Sequence, residues 1–79
     1  MTIRDQVVSI LSRLFFSGNA LDIRDDESLM KSGRVDSLGM MELVSEVGKK
    51  FNLEVDIDDL LPENFDSVDA LTRFVESRK

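Results

Sequence analysis

Apolar residues recur at spacings of three and four in the first part of the chain, from residue 2 to residue 16. The recurring positions are Ile3, Val7, Ile10, Leu11 and Leu14. This spacing brings the side chains to one face of an α-helix, so it predicts an amphipathic helix over residues 2–16. The run Ser17-Gly18-Asn19 follows, and its residue types favour the end of a helix.

A second helical pattern covers residues 36–52, with Asp36 as the predicted N-cap. At about 100° per residue, one broad stripe contains Met40, Leu43, Val44, Val47 and Phe51. This stripe is the predicted core face of the helix. The opposite side carries Leu38, Glu42, Ser45 and Lys49, with Met41 towards the flank.

A short third helix is predicted at residues 57–61, directly before Pro62. We expect Leu60 and Leu61 to meet the core face of the second helix there. Because a helix of about one turn makes few contacts, it should be the easiest element to displace, and an apolar chain could enter beside it.

The fourth helix is predicted from about residue 67 to residue 77, capped by Asp66 with Asp69 three residues later. Its inner face contains Val68, Leu71 and Val75. No segment of the chain alternates cleanly between apolar and polar residues. The prediction is therefore an all-α fold, a small four-helix bundle with three longer helices and one short helix.

The connection between the first two helices, residues 17–35, is unusually long. It contains the apolar residues Leu21, Ile23, Leu29 and Met30. We expect these residues to pin the loop across the bundle. A long crossover allows the first two helices to run in directions that a tight hairpin would forbid.

Composition excludes several classes of site. The 79 residues predict a single domain, 1–79, and they include no cysteine and no histidine. A disulfide framework, a thiolate metal site and a histidine-based hydrolase are therefore excluded, and nothing supplies a base beside a nucleophile. The acidic clusters lack the glycine-centred pattern of a calcium-binding loop, so neither a catalytic site nor a metal site is expected.

The net charge of −6 argues against nucleic-acid binding and favours basic protein partners. The N-terminal stretch carries charges where a signal peptide would be apolar, and no run of residues approaches the length of a membrane span. We expect a cytoplasmic monomer.

Ser37 is the position best suited to chemistry. It follows the predicted cap Asp36, so free backbone N–H groups and the positive end of the helix dipole lie close to its side chain. Such a serine can carry a phosphate. Leu38 and Met41 lie away from the buried stripe, and this arrangement suggests a phosphate-linked prosthetic group with a docking surface beside it.

Each of these features also has an ordinary explanation. Serine is common in the first turn of helices, and single exposed leucines need no function. Glu42 and Glu46, one turn apart on the outer side, could simply be a solvated acidic face.

The stretch Gly33-Arg34-Val35-Asp36-Ser37-Leu38-Gly39-Met40-Met41-Glu42-Leu43-Val44 resembles the attachment-site motif of the acyl carrier protein family, which includes peptidyl and D-alanyl carrier proteins. Three further stretches match the family pattern: Asp26-Glu27-Ser28-Leu29, Phe51-Asn52-Leu53-Glu54-Val55 and Phe65-Asp66-Ser67-Val68. The resemblance covers essentially the whole chain.

The resemblance implies a 4′-phosphopantetheine arm on Ser37, transferred from coenzyme A by a separate phosphopantetheinyl transferase. Asp36 matches the family aspartate that positions the metal and the serine for this transfer. The arm's thiol would carry an acyl or aminoacyl group, which explains thioester chemistry in a chain without cysteine. Leu38, Met41, Glu42 and Glu46 map to the surface that meets basic docking patches on acyl- or aminoacyl-loading and acyl-processing enzymes.

Three departures weaken the acidic recognition surface of the family. Gly39 stands where many carriers of fatty acid synthesis have an acidic residue, whereas D-alanyl carriers often have glycine. Ser45 replaces an apolar docking residue, and Gly48-Lys49-Lys50 replaces an acidic helix end. The main interpretation is a freestanding, non-catalytic acyl carrier protein for fatty acid, lipid or polyketide biosynthesis. The alternatives are an aminoacyl carrier of the D-alanyl type, loaded by an adenylating ligase, and an unmodified interaction module with the same fold.

Overall fold

The computed structural model describes residues 2–78 and contains four α-helices. They are α1 (Ile3–Phe15), α2 (Ser37–Phe51), α3 (Pro62–Phe65) and α4 (Val68–Arg78), with a 3₁₀ turn at Ile57–Asp59 before α3. The described residues contain no strand. The predicted all-α bundle, with three longer helices, one short helix and a long first connection, is confirmed.

The core lies where the helical patterns placed it. α1 packs against α4 and α2, and α4 also packs against α3. The buried helical residues include Val7, Ile10, Leu11, Leu43, Val44, Val47, Phe51, Val68, Leu71 and Val75. Met40 is only half-buried against this cluster. Phe65 and Phe74, which the pattern analysis did not assign to the core, are also buried, with ring centroids 4.9 Å apart.

Local capping defines the ends of α1. Thr2 and Asp5 form a reciprocal capping box at its start. After its last turn, Ser17 and Gly18 both take positive φ angles, 54° and 80°. The predicted stop at residues 17–19 is therefore confirmed, and glycine suits this backbone conformation.

The predicted third helix was wrong in its position. Residues 57–59 form a 3₁₀ turn, and the α-helical turn begins at Pro62 instead of ending before it. Proline is favoured at the first position of a helix, where its fixed φ fits and no N–H is needed. Leu60 and Leu61 remain at the surface, and Phe65 takes the core position expected of them.

The predicted cap of the fourth helix was also wrong. The Ser67 hydroxyl, not the Asp66 carboxylate, accepts the backbone N–H of Ala70, at 3.0 Å. Asp66 instead accepts the Ser28 hydroxyl and the backbone N–H of Met30, at 2.5 and 2.9 Å. Its backbone carbonyl accepts the N–H of Leu29. Asp66 therefore ties the long connection to the start of α4.

The long connection is anchored by its side chains, as expected, but not by all four predicted anchors. Leu29 is completely buried, and Leu21 and Ile23 pack half-buried against the core, whereas Met30 is exposed. Asp25 adds an ion pair with Arg4 of α1. The loop therefore crosses the bundle in one fixed path and delivers residue 36 to the start of α2.

Candidate functional site

The first turn of α2 presents Ser37 to solvent. Ser37 is the first residue of the helix and is exposed. Asp36 is the N-cap, as predicted, and its Oδ1 accepts the backbone N–H of Gly39 at 2.7 Å. Because the first backbone N–H groups of a helix have no intrahelical partner, those of Ser37 and Leu38 remain available to an anion on the serine.

Only one of the two carboxylate oxygens of Asp36 accepts a hydrogen bond from another described residue. Its Oδ1 holds the cap, and within residues 2–78 no protein group binds its Oδ2. The Ser37 hydroxyl likewise makes no hydrogen bond to another described residue. Within residues 2–78 no base therefore contacts the Ser37 hydroxyl to activate it as a nucleophile.

The residues before the site hold it in place. Val35 is buried, and the Arg34 guanidinium binds Asp22 at 2.5 Å while lying over the Phe16 ring, 4.8 Å from its centroid. Sequence reasoning gave these residues no structural role, although Arg34 and Val35 belong to the motif. Their position directly before the predicted cap Asp36 was the sequence feature that could have indicated such a role.

Gly39 lies at the contact between α2 and the end of α1. A Cβ atom built at Gly39 would lie 2.9 Å from Cε1 of Phe15 and 3.1 Å from Oδ1 of Asp36. A longer side chain at position 39 would displace the Phe15 ring or the cap. The glycine noted as a departure from many carriers is therefore favoured by this packing.

An outer stripe runs along α2 on the side away from the core. We define it by Leu38, Met41, Glu42, Ser45 and Lys49, all exposed. Leu38 is 82% exposed and Met41 58% exposed, so neither contributes a fully buried side chain to the core. Two apolar side chains this accessible, close to Ser37, fit a docking surface.

Glu46 differs from the other predicted docking residues. It is half-buried, and its carboxylate binds Arg13 of α1 at 3.1 Å. Its charge is therefore already compensated within the bundle. Of the predicted docking residues, Leu38, Met41 and Glu42 face solvent without such a partner among residues 2–78.

An apolar groove lies between α2 and the α3 segment, with a volume of about 100 Å³. It is lined by Met30, Met40, Met41, Val44, Leu60, Leu61, Pro62 and Phe65. Leu60 and Leu61 thus form its wall rather than the core. Met41 belongs to both the groove and the outer stripe, so the groove opens beside the outer stripe.

None of the helices within residues 2–78 has the length and apolar character needed to cross a membrane.

Comparison with known proteins agrees with this geometry. The family described as "Phosphopantetheine attachment site" matches residues 2–75. A D-alanyl carrier protein of Streptococcus pyogenes serotype M5 (strain Manfredo) is 32% identical over 78 residues, which cover 96% of this chain and 94% of the relative. A D-alanyl carrier protein of Streptococcus equi subsp. zooepidemicus (strain MGCS10565) is 31% identical over the same shares of both chains. The chain therefore belongs to the phosphopantetheine-bearing carrier protein family, whose members are not enzymes themselves but carry substrates on a 4′-phosphopantetheine arm.

Proposed function

We propose that this chain is an aminoacyl carrier of the D-alanyl type, with its arm on Ser37 and its cargo supplied by an adenylating ligase. The observation that carries the proposal is the exposed Ser37 hydroxyl at the start of α2, in a chain similar to D-alanyl carrier proteins over 96% of its length. When bound, the 4′-phosphopantetheine group supplies the thiol that holds the cargo. Because attaching the arm would consume coenzyme A and loading the cargo would consume ATP, we propose a cytoplasmic location.

The residues around Ser37 fit this group. Its phosphodiester would meet the free N–H groups of the first turn and the positive end of the α2 dipole. Asp36 would keep the turn in place through Oδ1 while Oδ2 positions the metal of the transferase reaction. Val35 and Arg34 hold the preceding backbone, so the position of Ser37 at the start of α2 is fixed.

The size of the groove favours a small cargo. Its volume, about 100 Å³, is below the roughly 150 Å³ of an engineered cavity that binds benzene. A long acyl chain would therefore need α3 to move outward. A D-alanyl group needs no such opening, because it has little apolar surface to bury.

A fatty acyl carrier is the second candidate, and the groove is the observation in its favour. The groove is apolar, lies between α2 and the shortest helix, and has two methionines in its wall. Methionine side chains adapt readily to an inserted chain. The loading assay below separates the two candidates, and it also tests the third, an unmodified interaction module.

The test begins with intact-mass measurement of the apo protein after incubation with coenzyme A and a phosphopantetheinyl transferase. The protein should gain one phosphopantetheine mass, and the Ser37→Ala variant should gain none. Asp36→Asn keeps a good helix cap but removes the charge, so it should be modified more slowly with an unchanged melting temperature. No modification with several transferases would favour the interaction module.

The holo protein is then offered D-alanine, ATP and an adenylating D-alanine ligase. We expect the D-alanyl mass to appear, and to be absent from the apo protein. In parallel, a fatty-acid-loading enzyme is offered the same holo protein. Loading by that enzyme alone would replace the D-alanyl proposal with the fatty acyl carrier.

A further inference from the structure

The last turn of α2 carries two lysines that point in different directions. At about 100° per residue, Lys49 falls in line with Leu38, Glu42 and Ser45 on the outer stripe. Lys50 instead turns towards α1, where it lines a shallow depression with Arg13. Both lysines are exposed, and neither forms an ion pair with another residue among those described.

The charges of the outer stripe therefore have a fixed order. Glu42 is exposed and has no ion-pair partner within residues 2–78, whereas Glu46 is held by Arg13. One uncompensated anion, Glu42, is followed seven residues later by one cation, Lys49. Seven residues of α-helix span about 10 Å along the axis, which is close to the screening length at 0.1 M salt. A docked partner would feel the two charges separately.

We propose that the docking surface of the loading enzyme is complementary to this order of charges. Its docking patch would place an apolar socket against Leu38 and Met41, a basic group opposite Glu42 and an acidic group opposite Lys49. This inference rests on the proposed function, and it adds an acidic element to a partner surface that the family resemblance predicts to be basic. Opposite charges in a fixed order also penalise a helix that docks shifted along its axis or reversed, because like charges would then meet.

The chain supplies matched variants for a test. Lys49→Glu and Lys50→Glu change the net charge equally and lie in the same helix end, so they perturb the α2 dipole alike. Of these two lysines, only Lys49 belongs to the outer stripe. The pair Glu42→Lys with Lys49→Glu keeps the net charge at −6 and only reverses the order of the charges.

The experiment measures steady-state D-alanylation of the holo wild type and the variants by the D-alanine ligase over a range of salt concentrations. We expect Lys49→Glu to raise KM about 3- to 10-fold with kcat unchanged, a size typical of reversing one exposed charge pair. Lys50→Glu should stay close to the wild type. The double reversal should have the highest KM, and all the differences should shrink as salt is added. Circular dichroism melts check that each variant is folded.

The outcomes separate the inference from the function on which it rests. If the wild type is loaded but Lys49→Glu and Lys50→Glu behave alike, the ordered-charge inference is overturned and the carrier function stands. A double reversal with wild-type KM would likewise overturn it, because net charge alone would then govern docking. If the ligase does not load the wild type at all, the proposed D-alanyl function fails, and this inference fails with it.

Discussion

The two connections that flank α2 differ in a way that their lengths do not suggest. The connection before α2, residues 16–36, is the longer one, yet it has Leu29 and Val35 buried in the core and Asp66 holding its middle. The segment after α2 leaves residues 52–64 without one buried side chain, and Phe65 is its first core residue. A long loop is therefore the more firmly held of the two.

This difference matches what each region has to do. The first connection fixes the backbone that leads into Ser37, and a fixed backbone there suits the proposed modification of this residue by another enzyme. The second forms one wall of the apolar groove. It packs Leu53 and Val55 half-buried against the core, and it is also held by the ion pair of Asp59 with Arg78 and by the bond from the Asn64 amide to the Asp59 carbonyl. Regions with few buried apolar contacts open at low free-energy cost. The more adaptable region thus lies beside the proposed docking surface and away from Ser37, the proposed attachment point.

The largest predicted effect comes from truncating one leucine in each region. Leu29→Ala should lower the free energy of unfolding by about 2–5 kcal/mol, because a fully buried leucine loses its packing and leaves a cavity. Leu61→Ala, in the groove wall, should change it by roughly 0.5 kcal/mol, as exposed positions usually do. Urea denaturation followed by circular dichroism measures both. Equal losses would mean that the two connections are anchored equally well.

A smaller effect is predicted for Asp66. Asp66→Ala removes the acceptors of the Ser28 hydroxyl and the Met30 N–H, and should cost about 1–3 kcal/mol. Ser67→Ala is the matched control, since it removes the real cap of α4 and should cost about 0.5–2 kcal/mol.

Amide hydrogen exchange distinguishes the Asp66→Ala variant from the Ser67→Ala variant. Asp66→Ala should expose the amide of Met30 and leave that of Ala70 protected, and Ser67→Ala should do the reverse. If Asp66→Ala instead removed the protection of the Ala70 amide, Asp66 would be the cap of α4 after all.

The features that sequence alone predicted are those set by near neighbours in the chain. The helical stripes, the stop after α1 and the Asp36 cap each depend on residues within one or two turns. The roles of Asp66 and Gly39 depend on partners far away in sequence, Ser28 and Phe15, and no local pattern reveals them. The ion pair of Glu46 with Arg13 was missed for the same reason.

The prediction at Pro62 failed for a different, local reason. A proline can end one helix or begin the next, and the apolar residues before it did not decide between these. The buried position of Phe65 does decide, because a turn that starts at Pro62 points this ring at Phe74. The attachment role of Ser37 and the docking roles of Leu38, Met41 and Glu42 stay predictions until the loading experiments are made.

The smallest predicted effect concerns the ion pair that joins the first connection to α1. The Arg4 guanidinium donates to both carboxylate oxygens of Asp25, at 2.6 and 2.8 Å, and these hydrogen bonds lower the pKa of Asp25 from its ordinary value. A carboxylate whose pKa is lower in the folded than in the unfolded state stabilises the fold above its unfolded pKa, about 3.9, and this stability is lost as the pH falls through the folded pKa. Asp25→Asn should therefore unfold slightly more easily than the wild type at pH 7, with a smaller shift than Ser67→Ala, because the pair is exposed and screened. The difference should shrink as the pH falls below about 3.9 and vanish once the pH lies below the lowered pKa of the folded state, where Asp25 is neutral in both states. Urea midpoints of the two proteins across that range measure it. A constant difference at all pH values would mean that the substitution acts through the hydrogen-bonding geometry of the side chain with Arg4, and not through the charge of Asp25.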